Sequence, residues 1–326
     1  MHTMPTSSPL RCLAVVMLVG CIAGPDERGP TAPPAASRPS ASSARYSPWS
    51  EPVSLGPVVN SAAVELEASV SKDGLSLYIA SNRAGNYDIW VSQRVSADEP
   101  WGPPQQIGPA VNTAAREQGP FLTKDGHRLY FFSDRADGFG GTDLYVSRRR
   151  DKRDDFGWEP PENLGPAVNT SANESLPMVF EDDEAETTTL YFTANLAGPP
   201  DIYASTLLPD ETFGPPARVE ELSSGGRDRI LTIRRDGREL FLASDRAGPT
   251  GSPFDLWVAT RASTADRWSA PTNVGLPVSS PADEGGATLS FDGTTLYFTS
   301  DRAGGMGRHD LWTTTRRKLG GPDGDE

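Results

Sequence analysis

Asp125-Gly-His-Arg-Leu-Tyr-Phe-Phe-Ser-Asp-Arg135, followed by Thr142-Asp-Leu-Tyr-Val-Ser147, is the stretch whose reading decides the fold. The same text returns as Phe291-Asp-Gly-Thr-Thr-Leu-Tyr-Phe-Thr-Ser-Asp-Arg302 with His309-Asp-Leu-Trp312. Two further copies centre on Asp73-Gly74 and Asp236-Gly237, and a worn one on Asp182-Asp183. The anchors Asp73, Asp125, Asp182, Asp236 and Asp292 are 52, 57, 54 and 56 residues apart. Self-similarity at such a period marks a repeat architecture. A second element precedes each copy, as in Trp101…Ile107-Gly-Pro-Ala-Val-Asn112, Trp158…Leu164-Gly-Pro-Ala-Val-Asn169 and Trp268…Val274-Gly-Leu-Pro-Val278. Trp49…Leu55-Gly-Pro-Val-Val-Asn60 comes first, and Phe213…Val219 is the worn fourth.

Each unit reads as four strands. Strand a is a short run such as Gly119-Pro-Phe-Leu-Thr123, closed by an Asp-Gly hairpin turn. Strand b, such as Leu296-Tyr-Phe-Thr299, is apolar nearly throughout, as a strand buried on both faces must be. Strand c, such as Asp88-Ile-Trp-Val-Ser92, alternates more, which predicts one less buried face. Strand d follows each tryptophan. Four-stranded units repeated about every 50 residues predict propeller blades. The segment near Trp49 precedes the first strand a, and the fifth unit lacks a strand d. The sequence therefore predicts an all-β, five-bladed β-propeller in which residues 49–55 complete the last blade and close the ring. Closure removes open strand edges. The text Ser/Thr-x-Asp-Gly-x-x-Leu-Tyr-Phe-x-Ser-Asp-Arg…Asp-Leu-Trp resembles the WD-like repeats of TolB-like periplasmic propellers, over residues 49–316.

Composition narrows the partners. With Lys+Arg 30 against Asp+Glu 44, the net charge is −14, which argues against nucleic acid. The most basic run, Arg148–Asp155, carries its own acids. Gly 32 and Pro 30 fall at regular intervals, as turns between short strands require. The two cysteines, Cys12 and Cys21, leave the repeats without thiol chemistry, and three histidines do not make a metal site. No cofactor is expected: the glycines of the longer loops are not followed by Lys-Ser/Thr.

The start of the chain reads as an export signal. Cys12–Gly20 is apolar but too short to span a bilayer. Leu18-Val-Gly-Cys21 resembles the lipobox of bacterial lipoproteins, which implies cleavage after Gly20 and lipidation of Cys21. The expected organisation is a signal peptide over 1–20, a Pro/Ala/Ser tether over 21–48, the propeller over 49–316 and a disordered acidic tail over 317–326. The expected place is the outer membrane, with the lipid as sole membrane contact and the protein a monomer.

Strand direction puts the a–b and c–d connections on one face of a propeller and the d–a and b–c connections on the other. The Asp-Gly turns leave little room for chemistry. The opposite face carries longer polar loops, where binding residues gather. Three charged positions recur there. One precedes strand a: Glu65, Glu117, Glu174, Asp228 and Glu284. One follows strand b: Arg83, Arg135, Arg246 and Arg302, with Leu196 breaking the set. One opens strand c: Asp88, Asp143, Asp201, Asp255 and Asp310. They read either as a ligand-binding ring or as ties that every blade needs. The b–c loops differ between blades, and Phe139, Phe254, Met306 and His309 are candidates for an asymmetric lip.

Catalysis by paired carboxylates needs unlike surroundings that split their pKa values, and five equivalent copies speak against it. His309 beside Asp310 is the one candidate base dyad. The expectation is thus a non-enzymatic, lipid-anchored scaffold binding an envelope protein, as the TolB-like resemblance implies. The alternative is a propeller that binds or cleaves a polysaccharide with carboxylates at its channel mouth.

Overall fold

A computed structural model describes residues 46–319. The expected signal peptide, Cys21 and most of the tether lie outside the described residues, as do 320–326. The chain opens with β1 (Val53–Ser54) and one helical turn, α1 (Gly56–Val59). Blade one is β2 (Glu65–Val70), β3 (Ser76–Ser81), β4 (Asp88–Gln93) and β5 (Gln105–Gln106). Blade two is β6 (Glu117–Leu122), β7 (Arg128–Ser133), β8 (Asp143–Arg148) and β9 (Glu162–Asn163). Blade three is β10 (Glu174–Asp182), β11 (Thr187–Ala194), β12 (Asp201–Thr206) and β13 (Ala217–Arg218). Blade four is β14 (Asp228–Ile233), β15 (Glu239–Ser244), β16 (Asp255–Thr260) and β17 (Thr272–Asn273). Blade five is β18 (Glu284–Leu289), β19 (Thr295–Ser300) and β20 (Asp310–Thr315), and its fourth strand is β1. The five-bladed ring closes where the sequence placed it: Val53 pairs with Thr313 and Ser54 with Trp312. Order extends one step further, since Tyr46 bridges to Lys318.

The repeated tryptophans explain how blades pack. Four of the five strand-d aromatics meet a strand-b aromatic of the preceding blade edge-on: Trp158 on Tyr78, Trp101 on Tyr297, Phe213 on Tyr130 and Trp49 on Phe241. In four blades the arginine just after strand c lies over the indole of its own blade. Arg94 is 4.2 Å from Trp101, Arg149 4.5 Å from Trp158, Arg261 4.2 Å from Trp268 and Arg316 4.4 Å from Trp49. Trp49 thus takes, against blade five, the place that the other tryptophans take in theirs. Strand c keeps one less buried face in β12, β16 and β20, where the fourth and sixth residues are half-buried or exposed; β8 is the exception, buried along all but its last residue.

Four of the five strand-a ladders carry a two-residue bulge near the channel end of the long loops: Glu67-Ala68, Gly119-Pro120, Leu176-Pro177 and Gly286-Ala287; blade four has one at Leu231. Glu67 and Leu176 take φ 50° there, the left-handed region that glycine takes at Gly119 and Gly286. The bulge turns these residues towards the channel, and a Cβ on Gly286 would lie 2.7 Å from the Glu67 amide nitrogen. Blade five therefore needs glycine where it abuts blade one.

Candidate functional site

The recurring charges form closed fastenings. All five strand-a carboxylates are 0% exposed. Each accepts a hydroxyl hydrogen bond from the crossover before it: Ser61 at 2.6 Å, Thr113 at 2.7 Å, Thr170 at 2.7 Å, Ser224 at 2.7 Å and Ser280 at 2.5 Å. Four also hold an arginine: Arg83 is 2.9 Å from Glu65, Arg135 3.1 Å from Glu117, Arg246 2.5 Å from Asp228 and Arg302 3.0 Å from Glu284. The same guanidinium donates to the crossover carbonyl of Val59, Val111, Leu222 or Val278. Each set thus pins the crossover from one blade onto the next. Burial pushes the Glu117, Glu174 and Glu284 carboxyls above their ordinary range, against the pull of these partners.

The aspartates that open strand c tie it to strand d. Asp88 accepts from Gln106 at 2.6 Å, Asp143 from Asn163 at 3.0 Å, Asp201 from Arg218 at 2.9 Å and Asp255 from Asn273 at 3.0 Å. Asp310 instead accepts the Met306 amide at 2.7 Å. The candidate His309–Asp310 dyad does not form: His309 Nε2 faces Asp283 Oδ2 at 3.5 Å. Phe139 and Met306 stand exposed on their loops, whereas Phe254 is buried, with Arg227 and Arg229 each 4.4 Å from its ring centre.

The group that differs from its counterparts is Glu67. It lines a cavity of about 90 Å³ at the long-loop end of the channel, with Arg229, Asp283, His309 and the Gly285-Gly286 pair. Those glycines leave open the wall that a side chain fills elsewhere, at Leu176 for instance. Glu67 Oε2 accepts the Gly119 amide at 2.7 Å. Burial raises its pKa to about 7, although the Gly119 hydrogen bond and Arg229 pull it down. The residue is half-buried and lines the cavity. Tyr87, on the short b–c loop of blade one, is near enough for Glu67 to raise its pKa, secondary to burial. A carboxyl that holds its proton near neutrality beside a second carboxylate, a guanidinium and an imidazole suits proton transfer to a polar ligand. Among the described residues, no cluster of His, Cys, Asp or Glu is arranged to hold a metal ion.

Known structures share this fold. No protein-family model and no curated protein sequence matches the chain. An α-L-arabinofuranosidase from Podospora anserina, solved with cellotriose, superposes with a TM-score of 0.55 at 11% identity, over 83% of this chain and 98% of that one. An endo-arabinase from Bacteroides thetaiotaomicron superposes at 0.52 and 17% identity, over 85% of this chain and 100% of that one. Other arabinofuranosidases and a family-43 glycoside hydrolase also exceed 0.5. TolB from Acinetobacter baumannii reaches only 0.43 at 14% identity, over 79% of this chain and 55% of that one.

At these identities the likeness carries the fold alone. Two expectations are nevertheless corrected. The TolB-like text led to a protein-binding scaffold with an envelope-protein partner and no catalytic activity, but the better-superposing propellers are glycoside-cleaving enzymes. The physical reason is that the shared text encodes hairpins and fastenings, which any such ring requires.

Proposed function

We propose that the long-loop end of the channel receives a glycan and that Glu67 donates a proton to the leaving oxygen of a glycosidic bond. The observation that carries this reading is the Glu67 carboxyl, pushed to about 7 on the channel wall beside the glycine-lined notch. A general acid must hold its proton at working pH and release it as the bond breaks. Asp283, 3.5 Å from His309, is the notch carboxylate not committed to an arginine fastening as Glu284 is, and the candidate to activate water or to face the developing positive charge at the sugar. Arg229 and His309 supply hydrogen-bond donors for sugar hydroxyls. The polysaccharide alternative is consistent with neighbours whose structures contain cellotriose or xylotriose.

The test is reducing-sugar release from a panel of polysaccharides and aryl glycosides. Glu67→Gln should lower kcat by about 10²-fold or more, the span that general acids supply, with the thermal midpoint held or raised. A wild-type protein inactive on the whole panel, or a fully active Glu67→Gln, overturns the reading. The run ending at Cys21 supports, as a further proposal, export and lipid anchoring at the outer membrane. Incorporation of labelled palmitate that survives in Cys21→Ala speaks against it.

A further inference from the structure

The tight-turn end of the channel holds a second cavity, opposite the notch and independent of the reading of Glu67. Its volume is about 120 Å³, close to the size at which an engineered apolar cavity takes up a single benzene ring. Val70, Phe121, Ile233 and Leu289 form apolar walls from four blades, with the hydroxyl residues Ser69 and Thr232 among those between them. The rim is set by the residues next to the hairpin turns, and here the copies differ: Lys72, Lys124, Asp183, Arg235 and Phe291. Lys124 and Asp183 neutralise one another at 2.7 Å, with Arg235 3.4 Å from the same carboxylate. Lys72 and Arg235 both lie over the Phe291 ring, 5.0 and 4.5 Å from its centre. Among the described residues, Lys72 has no carboxylate within ion-pair distance. Against Lys72, Lys124 and Arg235 stand two acids of the wall, Asp183 and Glu181. In a chain of net charge −14, a mouth with this cationic excess over an apolar pit is complementary to one kind of ligand.

We propose that the tight-turn end binds a single-ring aromatic carboxylate, with its ring in the apolar pit and its carboxylate between Lys72 and Arg235. Sequence reasoning gave this face little room because the turns are tight; the room lies inside the ring, between the turns of different blades.

Titration calorimetry with benzoate, benzamide and acetate tests this on the full chain. Benzoate should bind, and benzamide, which keeps the ring and loses the charge, should bind about tenfold more weakly or worse, as expected for losing one charge-assisted contact. Acetate, which keeps the charge and loses the ring, should not bind measurably. Lys72→Gln/Arg235→Gln changes exposed side chains and should leave the thermal midpoint in place while weakening benzoate by about tenfold or more. Absence of benzoate binding, equal binding of benzamide, or affinity unchanged in the double variant overturns the proposal. So does tighter binding of the peptide Gly-Gly-Phe than of benzoate, which would make a chain terminus the occupant. Hydrolysis by Glu67 is unaffected by any of these outcomes, so the two readings fail separately.

Discussion

Glu65 and Glu67 are two residues apart on one strand and teach opposite lessons. Glu65 has a counterpart in every blade, is sealed from solvent, and accepts from Ser61, Ser81 and Arg83. Glu67 has none, faces the channel from a bulge, and accepts one backbone hydrogen bond from the neighbouring blade. What recurs in every blade answers a need that every blade has. What stands alone answers to the one axis they share.

The comparison breaks most visibly if the fastenings prove dispensable. Glu117→Ala removes a buried acceptor from Thr113, Ser133 and Arg135. The cost should be about 3–5 kcal/mol, the range for orphaning a buried ionic partner, read as a fall in urea midpoint. Glu117→Gln should cost less, because burial already disfavours the charged form. Glu174 sharpens the contrast: Leu196 replaces its arginine, so Glu174→Ala orphans no cation and should cost about 1–3 kcal/mol. Equal losses at both sites would mean that the arginines contribute nothing to holding the crossovers.

Next in size is the closure. Trp49 packs on Phe241 of blade four and under Arg316 of blade five, so it holds the closing segment against two blades. Its main-chain support is brief, with β1 pairing at two residues and Ser50 and Leu55 adding bonds to Thr315 and Leu311. Trp49→Ala should cost about 2–4 kcal/mol, somewhat under the range for a fully buried tryptophan. Hydrogen exchange should report the loss first in β20. Protection unchanged in β20 would mean that the ring is held at this seam by something other than the tryptophan.

The ring was legible because its causes are periodic. Asp-Gly turns, apolar strand-b runs and one tryptophan per unit recur with the blade, and Trp49 without a blade of its own announced the closure. The site was not legible, for two physical reasons. Hairpin spacing fixes register at the turn, but the bulge beyond Leu66 inserts a residue that alternation does not foresee. Equivalence of the five acids also drew attention to the residues that repeat, whereas Glu67 matters because Gly119, Leu176 and Gly286 occupy its place elsewhere. A signal was available: aligned copies show one acid in a column otherwise small or apolar. The same habit misread the family text, which specifies how blades are fastened and is silent on what enters the channel.

The smallest effect is the most discriminating, because its sign depends on pH. A glutamate whose pKa rises on folding, here to about 7 from an ordinary 4.5, binds more protons folded than unfolded between those values. Stability from this group therefore falls as pH rises from about 4.5 to 7 and levels off above. Full conversion of the shift gives about 3 kcal/mol, and the half-buried position of Glu67 reduces this to about 1–2 kcal/mol. Glu67→Gln removes the ionisation and keeps the acceptor for the Gly119 amide. The variant should match wild type near pH 4.5 and exceed it by that amount at pH 8, seen as Tm curves that diverge as pH rises. Glu65→Gln, deprived of its grip on Arg83, should be less stable than wild type at pH 8. Were Glu67→Gln also destabilised at pH 8, Glu67 would be one more fastening, and the distinction between the column that repeats and the residue that does not would be lost.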